Sequence, residues 1–550
     1  MKLNRIVVAP ALVAGVALVS GGWLLQQGVG QQDSVFQRAQ LFDEVVRYVQ
    51  TRYVDPQPAA ELYEKAIKGM LRELGDPHTS FMSAEEYAQL HMQTSGEYAG
   101  VGIQIAPRDN YITAVGVLPG TPAERAGVRV GDRMIEIDGR DAKGWSDDFA
   151  VKVLRGAKGT PVSIKVLRVG VDEPITFRIV RDEIRLQSVQ HAYMTAPGVG
   201  YLNLTVFAET STDEMKAAIT RLRGEGMKSL VLDLRGNPGG LLNQGVSVSD
   251  LFLKAGQAVV ETRARDPRES ETFRAMDNAS NEDLSVVVLV DEYSASAAEI
   301  VAGALQDHDR ALVLGSPTYG KGSVQSLFPL SGGNFLKMTT AKWYTPVGRS
   351  IQKEHKEDED GVAAADTAAV SETGAPILQD TVARQPFRTD GGRTVYGGGG
   401  IVPDLTVRPD TATAGEKEFF RALAKDVGKW ESELLRFSVE YARANPGLAR
   451  DFQITPAMRA TLFERATRAG IGITRAQYDA AQRYVDLRLV NAIATSRFGP
   501  SVAAQRNDAT DRVLQEAIRL ARAAPNQAAL LRAAEAQRSR QPAPVAATRR

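Results

Sequence analysis

Strand and helix patterns alternate between residues 198 and 350. The strand-like apolar runs are GVGYLNLTVF, KSLVLDLR and SVVVLVD, and helical patterns separate them at residues 212–223 and 241–252. Such alternation is typical of an α/β layer with a largely parallel sheet. Functional residues in folds of this class lie at strand ends, so the turns after these runs are the first places to look for chemistry.

The composition excludes several kinds of function. The chain of 550 residues contains no cysteine, which rules out disulfides, thiolate catalysis and zinc sites built on sulfur. Its 66 basic and 66 acidic residues balance, so there is no excess of positive charge for nucleic acid. The histidines form no HExxH pattern, and we expect neither a metal nor a cofactor.

An apolar run from Ile6 to Leu25 is about as long as a membrane-spanning helix requires. Lys2 and Arg5 precede it, on the side that the positive-inside rule assigns to the cytoplasm. We predict that residues 1–30 form an uncleaved signal anchor in the inner (cytoplasmic) membrane, a single pass that leaves the body in the periplasm or extracytoplasmic space. A cleaved secretory signal is the alternative.

The texture of the sequence divides the rest of the chain into several regions. Residues 353–394 are rich in Glu, Asp, Ala and Thr, so we expect a mobile or disordered insertion without chemistry. The end of the chain has helical periodicity and suits self-association, shielding of the site, binding of a helper protein or a plain packed bundle. The predicted regions are an N-terminal helical arm (31–95), a β-rich domain (96–182), the α/β core (183–352, returning at 395–410), the insertion (353–394) and a helical C-terminal extension (411–550).

The segment VDEYSASAAEIVAGALQDHDR places a serine at the start of a helix. A strand ends at Asp291, small residues turn the chain, and the helix begins at Ser296. Backbone N–H groups in a first helical turn can stabilise negative charge, as the N–H of Ala297 would if Ser296 attacked a carbonyl. A serine here can also be a simple helix cap.

Three motifs, SASAAEI, GKGSVQ and DLRGNPGG, occur together in this chain. In this combination it resembles the C-terminal processing peptidases, the tail-specific serine proteases, over roughly residues 35–407. The resemblance implies a multi-domain α/β protein with a ClpP/crotonase-like protease core, and Ala298 departs from the serine that members often carry. It implies these roles: Ser296 as nucleophile, Lys321 as general base, Gln325 as support for the lysine, Gly239 or Gly240 as an oxyanion donor beside Ala297, and Asp233 and Arg235 as structural supports.

Lys321 can accept a proton from a serine only when its amine is neutral. Burial must therefore lower the pKa of this lysine from its usual value of about 10.4. Gly320 and Gly322 permit close packing around it, and Gln325 can orient the amine without adding charge. A solvated turn lysine is the alternative for an isolated GKG sequence.

Other chemical interpretations of these segments are weaker. DLRGNPGG lacks the G-x-x-x-x-G-K-[ST] pattern of a phosphate-binding loop. His308 invites a Ser-His-Asp triad, but it lies about 18 Å along the helix from Ser296 at 1.5 Å per residue. No G-x-S-x-G elbow of the esterase type surrounds Ser296.

Residues 96–182 contain GVGIQI followed by PAERAGVRVGDRMIEIDG. This arrangement resembles a PDZ domain, in which a peptide adds to an open strand edge and its carboxylate accepts backbone N–H hydrogen bonds. A small β-domain with ordinary turn glycines is the alternative. Arg155 is either a surface arginine or a residue that couples bound substrate to assembly of the active site. The predicted peptide-binding residues are Gly100, Val101, Gly102, Ile103 and Arg155.

The sequence therefore predicts a membrane-tethered serine endopeptidase that cleaves extracytoplasmic proteins near their C-termini. Its partners would be protein substrates with free, apolar tails, and the C-terminal helices could bind a second copy or a helper protein. The alternative from another class is a catalytically inactive PDZ scaffold of the envelope, against which the intact Ser296, Lys321 and Gln325 argue.

Overall fold

The computed structural model describes residues 36–276, 281–353 and 385–539. Its helices are α1 (36–52), α2 (Ala59–Arg72), α3 (Ala84–Ser95), α4 (Pro122–Ala126), α5 (Asp147–Leu154), α6 (Ser211–Gly224), α7 (Leu242–Asp250), α8 (Ala297–Asp307), α9 (Ala414–Leu423), α10 (Val427–Ala444), α11 (Pro456–Arg468), α12 (Arg475–Ala480), α13 (Gln482–Phe498), α14 (Pro500–Asn507), α15 (Arg512–Ala523) and α16 (Gln527–Arg538). Its strands are β1 (Ser80–Met82), β2 (Glu97–Gly100), β3 (Ile103–Arg108), β4 (Tyr111–Val117), β5 (Arg133–Ile137), β6 (Arg140–Asp141), β7 (Pro161–Leu167), β8 (Ile175–Val180), β9 (Asp182–Arg185), β10 (Val189–Ala196), β11 (Val199–Leu204), β12 (Ser229–Asp233), β13 (Ala258–Ala264), β14 (Glu271–Arg274), β15 (Ser285–Val290), β16 (Leu312–Gly315), β17 (Ser323–Pro329), β18 (Phe335–Tyr344), β19 (Pro386–Arg388), β20 (Thr394–Tyr396) and β21 (Leu405–Thr406).

The chain divides into two compact units. The first contains the residues up to Tyr87 together with Gln325–Thr339, and the second contains Ala88–Val324 with the residues from Thr340 onward. In the first unit, β1 pairs antiparallel with residues 335–337 of β18. The ring of Tyr87 stacks on that of Phe335, with centroids 3.6 Å apart. Helices α1 and α2 occupy the stretch for which the sequence predicts helix.

A β-rich domain opens the second unit. Its main sheet has the antiparallel order β3-β4-β5-β7-β8, which leaves β3 at one edge, while β2 pairs with β9. Apolar residues at alternate positions of the strands close its core, as Ile112 and Ala114 on β4 do, both fully buried. Ser146 caps the start of helix α5 by accepting the N–H of Phe149 with its side chain, and Arg155 is the C-cap residue.

The core sheet of the second unit has the order β10-β11-β12-β15-β16-β21. All neighbours are parallel except β10 and β11, which run antiparallel, so the predicted parallel α/β layer is confirmed. Strand β15 is buried on both faces. Val286, Val288 and Val290 pack with α6, α7 and α8, whereas Val287 and Leu289 pack with α15 and α16.

The C-terminal extension is helical, as predicted, and its helices fall into two groups that pack in different places. Helices α9 to α14 enclose their own core around Phe419, Trp430 and Leu489. Helices α15 and α16 instead cover the second face of the core sheet. Helix α10 also contacts the β-rich domain, because Arg436 pairs with Asp109 at the end of β3.

The predicted low-complexity insertion needs one correction. Residues 354–384 lie outside the described residues, but residues 386–396 form the hairpin of β19 and β20. The guanidinium of Arg393 pairs with Asp309 and, at 2.6 Å, with Asp404, so this end of the predicted insertion is folded against the core. Composition missed it because these contacts are made with residues distant in the chain.

The predicted signal anchor over residues 1–30 also lies outside the described residues. Within the part of the chain that the structure describes, no helix combines the length and the apolar character needed to cross a bilayer.

Candidate active site

The turn between β15 and α8 carries two serines in different environments. Ser294 is fully buried, and its hydroxyl donates to the carbonyl of Leu234 at 2.8 Å and accepts the N–H of Asp291 at 2.9 Å. Ser296 is only half-buried and has φ 53° and ψ −115°, a conformation that a residue with a side chain rarely adopts. The first hydroxyl therefore holds the turn, while the second sits on strained backbone of the kind found at functional sites.

A buried carboxylate joins this turn to the loop that carries Lys321. Glu299, in the first turn of α8, is fully buried. Its Oε2 accepts the backbone N–H of Ser296 at 2.8 Å and that of Lys321 at 2.9 Å. The two backbone nitrogens are thus closer than the sum of these distances. Burial raises the pKa of Glu299 to about 7, against the opposing effect of its hydrogen-bond donors.

The loop around Lys321 packs so closely against neighbouring segments that side chains at its two glycines would clash. Gly320 has φ +90°, and a Cβ there would lie 2.8 Å from the Cβ of Lys353. A Cβ on Gly322 would lie 3.0 Å from the backbone nitrogen of Gln352. Lys321 itself is half-buried, and its carbonyl accepts the indole N–H of Trp343 at 3.1 Å. The close packing expected of the GKG sequence is present.

Gln325 lies on β17, after Lys321 in the chain, and belongs to the first unit. Its amide donates to the hydroxyl of Thr339 at 3.2 Å. The backbone N–H of Thr339 in turn donates to the hydroxyl of Thr79 at 3.1 Å.

The glycine turn after β12 packs against the turn that carries Ser296. Asn237 is fully buried, and its carbonyl accepts the N–H of Ala295 at 2.9 Å. Gly239 has φ +93°, and a Cβ there would lie 2.8 Å from the Cβ of Ser296 and 2.9 Å from the nitrogen of Ala297. Only glycine fits at this position, since both the backbone conformation and the space exclude a side chain.

The two candidate oxyanion glycines differ in their hydrogen bonds. The N–H of Gly239 already donates to the side-chain oxygen of Asn237 at 2.8 Å. Gly239 is buried, whereas Gly240 is exposed. Among the described residues, neither the N–H of Gly240 nor that of Ala297 has a hydrogen-bond acceptor.

Arg235, at the start of the glycine turn, lies between two aspartates. Its guanidinium donates to Asp233 at 2.6 Å and to Asp511, the residue that caps α15, at 2.7 Å. Burial alone would lower the pKa of Arg235, but the two carboxylates reverse this effect and raise it. The structural support expected of Asp233 and Arg235 is present, and the extension contributes a third member to it.

Two residues of this site, Glu299 and Asp511, were not predicted from the sequence. Glu299 had a local signal, because an acidic residue three positions after a helix-capping serine is the pattern of a capping box. Asp511 had none, since 276 residues separate it from Arg235.

The predicted peptide-binding residues lie together in the β-rich domain. Gly100 ends β2, Val101 is buried in the core, and Ile103 opens the edge strand β3. Gly102 has φ +82°, and a Cβ there would lie 2.3 Å from the Cβ of Thr121. Arg155 follows α5, and its guanidinium lies 5.0 Å from the ring centre of Tyr98. An open strand edge beside a glycine loop can accept an extended peptide.

His308 lies at the other end of α8 from Ser296. Its Nδ1 is 2.7 Å from a carboxylate oxygen of Asp390, and its Nε2 is 2.7 Å from the carbonyl of Ala258. Both ring nitrogens are therefore engaged in structural contacts away from the turn that carries Ser296.

Three known families match the chain in sequence. Peptidase family S41 matches residues 198–362, the PDZ domain matches residues 89–167, and the N-terminal domain of the activating protease CtpB matches residues 24–86. The carboxy-terminal-processing protease of Bartonella bacilliformis is 40% identical over 346 residues, which cover 62% of this chain and 79% of that relative. The chain belongs to the carboxy-terminal processing proteases of peptidase family S41. The family resemblance inferred from the three motifs is confirmed.

Two further proteins show lower sequence identity to this S41 protease. The carboxy-terminal processing protease CtpA of Bacillus subtilis is 33% identical over 357 residues, which cover 64% of this chain and 75% of that protein. Among solved structures, the photosystem II D1 C-terminal processing protease is 31% identical with a TM-score of 0.33, and the match covers 57% of this chain and 89% of that one. The S41 match ends at residue 362, so helices α9 to α16 lie outside it.

Proposed function

We propose that this chain is a serine endopeptidase that cleaves proteins near their C-termini with a dyad of Ser296 and Lys321. The observation that carries the proposal is the hydrogen bonding of both residues' backbone N–H groups to one oxygen of Glu299. The strained backbone of Ser296 and the buried, fully engaged hydroxyl of Ser294 support the choice of nucleophile. The core would have the ClpP/crotonase-like arrangement that the resemblance implies.

In the proposed reaction, the neutral amine of Lys321 takes the proton from the Ser296 hydroxyl as its oxygen attacks the scissile carbonyl. The same proton then passes to the leaving amine, and water hydrolyses the acyl-enzyme by the reverse roles. Gln325 supports the lysine, as the resemblance implies. The oxyanion donors would be the N–H groups of Ala297 and Gly240, because the N–H of Gly239 is occupied by Asn237.

The substrate would be a protein with a free, apolar C-terminal tail. The edge of β3 that has no strand partner and the backbone around Gly100, Val101, Gly102 and Ile103 would bind that tail as an added strand with a captured carboxylate. For Arg155 we propose coupling of the bound tail to the protease core. Full peptide-stimulated hydrolysis by Arg155→Ala would eliminate that role.

We also propose that residues 1–30 anchor the protein in the inner membrane and leave its body outside the cytoplasm. The apolar run Ile6–Leu25 with its preceding basic residues supports this location. The full chain should fractionate with membranes, and deletion of residues 1–30 should release it. Membrane association that survives the deletion would remove the proposed anchor.

The catalytic proposal is tested with an unfolded protein substrate that ends in a free apolar tail, compared with the same substrate amidated at its C-terminus. Wild-type protein should cleave the free tail faster, because a carboxamide has one acceptor oxygen and no charge, whereas the carboxylate offers two charged acceptor oxygens to the backbone N–H groups. Lys321→Ala and Lys321→Arg should both lose at least ~10³-fold in kcat, since an arginine does not deprotonate and cannot act as a base.

Activity that survives in Lys321→Arg would contradict the proposed base. Wild-type protein that binds the tail but cleaves neither substrate would instead favour the inactive PDZ scaffold.

A further inference from the structure

Glu299 accepts four hydrogen bonds from two separate segments. One donor is the backbone N–H of Ser296. The others are Thr318, Gly320 and Lys321 in the loop before β17, here called the lysine loop, which lies at least 19 positions after Glu299. Oε1 accepts the hydroxyl of Thr318 at 2.5 Å and the N–H of Gly320 at 2.8 Å. Oε2 accepts the N–H groups of Ser296 and Lys321.

This arrangement exceeds what helix capping requires. In a capping box, the carboxylate of Glu299 accepts only one hydrogen bond, from the backbone N–H of Ser296. Here three of the four donors lie beyond α8 and its N-cap residue, in the loop that carries the proposed general base. A carboxylate has about four acceptor positions, so this side chain is fully used.

The identity of the side chain follows from its donors. Three of them are backbone N–H groups, which cannot reverse direction, and each needs an acceptor in a site closed to water. An amide at the same position would turn an NH₂ group toward two of the donors. An apolar side chain would leave all of them without an acceptor.

We propose that Glu299 is a positioning residue that sets the distance between Ser296 and Lys321 by binding the backbone of both. The inference rests on the proposed Ser296–Lys321 mechanism. The side chain of Glu299 accepts hydrogen bonds from backbone N–H groups and from the Thr318 hydroxyl, so it acts through the two segments that it joins. Its loss therefore impairs the chemical step and leaves tail binding unchanged.

The test compares Glu299→Gln with a control variant that destabilises the same helix. Val301→Ala removes fully buried apolar volume from the same helix without touching the carboxylate, so it destabilises the same region. Both proteins are assayed on the tailed substrate at a temperature where thermal unfolding shows each to be folded. Glu299→Gln should lose about 10- to 100-fold in kcat with KM within twofold of wild type, because at least one backbone N–H group loses its acceptor. Val301→Ala should keep the wild-type kcat.

If Glu299→Gln does not fold, Glu299→Asp provides the same measurement. The aspartate side chain is one methylene shorter, so its carboxylate cannot reach both the backbone of Ser296 and the lysine loop. We therefore expect kcat to fall while KM is retained. A wild-type kcat in either folded variant overturns the positioning role. If Lys321→Ala is also fully active, it is the proposed mechanism that fails instead.

Discussion

The two sides of the proposed active site are held in place by different kinds of hydrogen bonding. On the lysine side, one buried carboxylate accepts only neutral donors, all from residues 296–321. On the glycine side, Arg235 lies between two aspartates, and about a fifth to a quarter of the side chains of Arg235 and Asp511 is exposed, 22% and 26%. The lysine side, here called the closed side, is local in sequence and closed to water. The glycine side, here called the charged side, is partly solvated and depends on the C-terminal extension.

This difference sets the expected sensitivity of each side. A buried donor without an acceptor bears the full cost of desolvation, while water and salt compensate much of a broken ion pair near the surface. Changes that reach the closed side should therefore cost more activity and stability than changes to the charged side.

Gly239 lies where the two sides meet, and its substitution should have the largest effect. A Cβ there would lie 2.6 Å from the carbonyl of Ala295 and 2.8 Å from the Cβ of Ser296. We expect Gly239→Ala to lower kcat by ~10³-fold, at least as much as loss of an oxyanion donor. The control is Gly236→Ala, which shares the positive φ, +69°, but has open space around it and should lose only a few-fold. Equal losses in the two variants would show that backbone strain alone matters.

The closed side should also give a pH-dependent stability. Burial raises the pKa of Glu299 to about 7, so between its usual value and pH 7 the folded protein binds more protons than the unfolded one. This group's contribution to the free energy of unfolding therefore falls as the pH rises. Relative to Glu299→Gln, wild-type protein should lose about 2 kcal/mol between pH 5 and pH 8.

Urea denaturation of both proteins at the two pH values measures this effect. If the difference in free energy of unfolding between the two proteins does not change with pH, the four donors keep the Glu299 carboxylate ionised throughout, contrary to the effect of burial.

The charged side should respond more weakly. Asp511→Asn keeps a side chain that can cap α15 but removes the charge paired with Arg235. We expect a loss of about 1 kcal/mol in the free energy of unfolding and a change in kcat below about fivefold. Asp511→Ala also removes the cap and should lose about 1 kcal/mol more. A larger kcat loss in Asp511→Asn than in Glu299→Gln would invert the comparison.

The same contrast explains what the sequence could predict. Strand β15 and helix α8 were predictable, because an apolar run and a capped helix are local patterns. The motifs placed Ser296 and Lys321 in one site. The proposed choice of Gly240 over Gly239 as oxyanion donor depends on the side chain of Asn237, which accepts the N–H of Gly239. The packing of α15 on the core sheet and the pairing of Asp511 with Arg235 join distant parts of the chain, for which no local pattern exists.

The most direct test of the central claim is kcat for Ser296→Ala against Ser294→Ala on the tailed substrate, with both proteins shown to be folded. Ser294→Ala removes a buried structural hydroxyl and should lose stability while it retains activity within about tenfold. Ser296→Ala should lose at least ~10⁴-fold, as expected when a nucleophile is removed. Activity retained in Ser296→Ala, or lost only in Ser294→Ala, would contradict the assignment of Ser296 as the nucleophile.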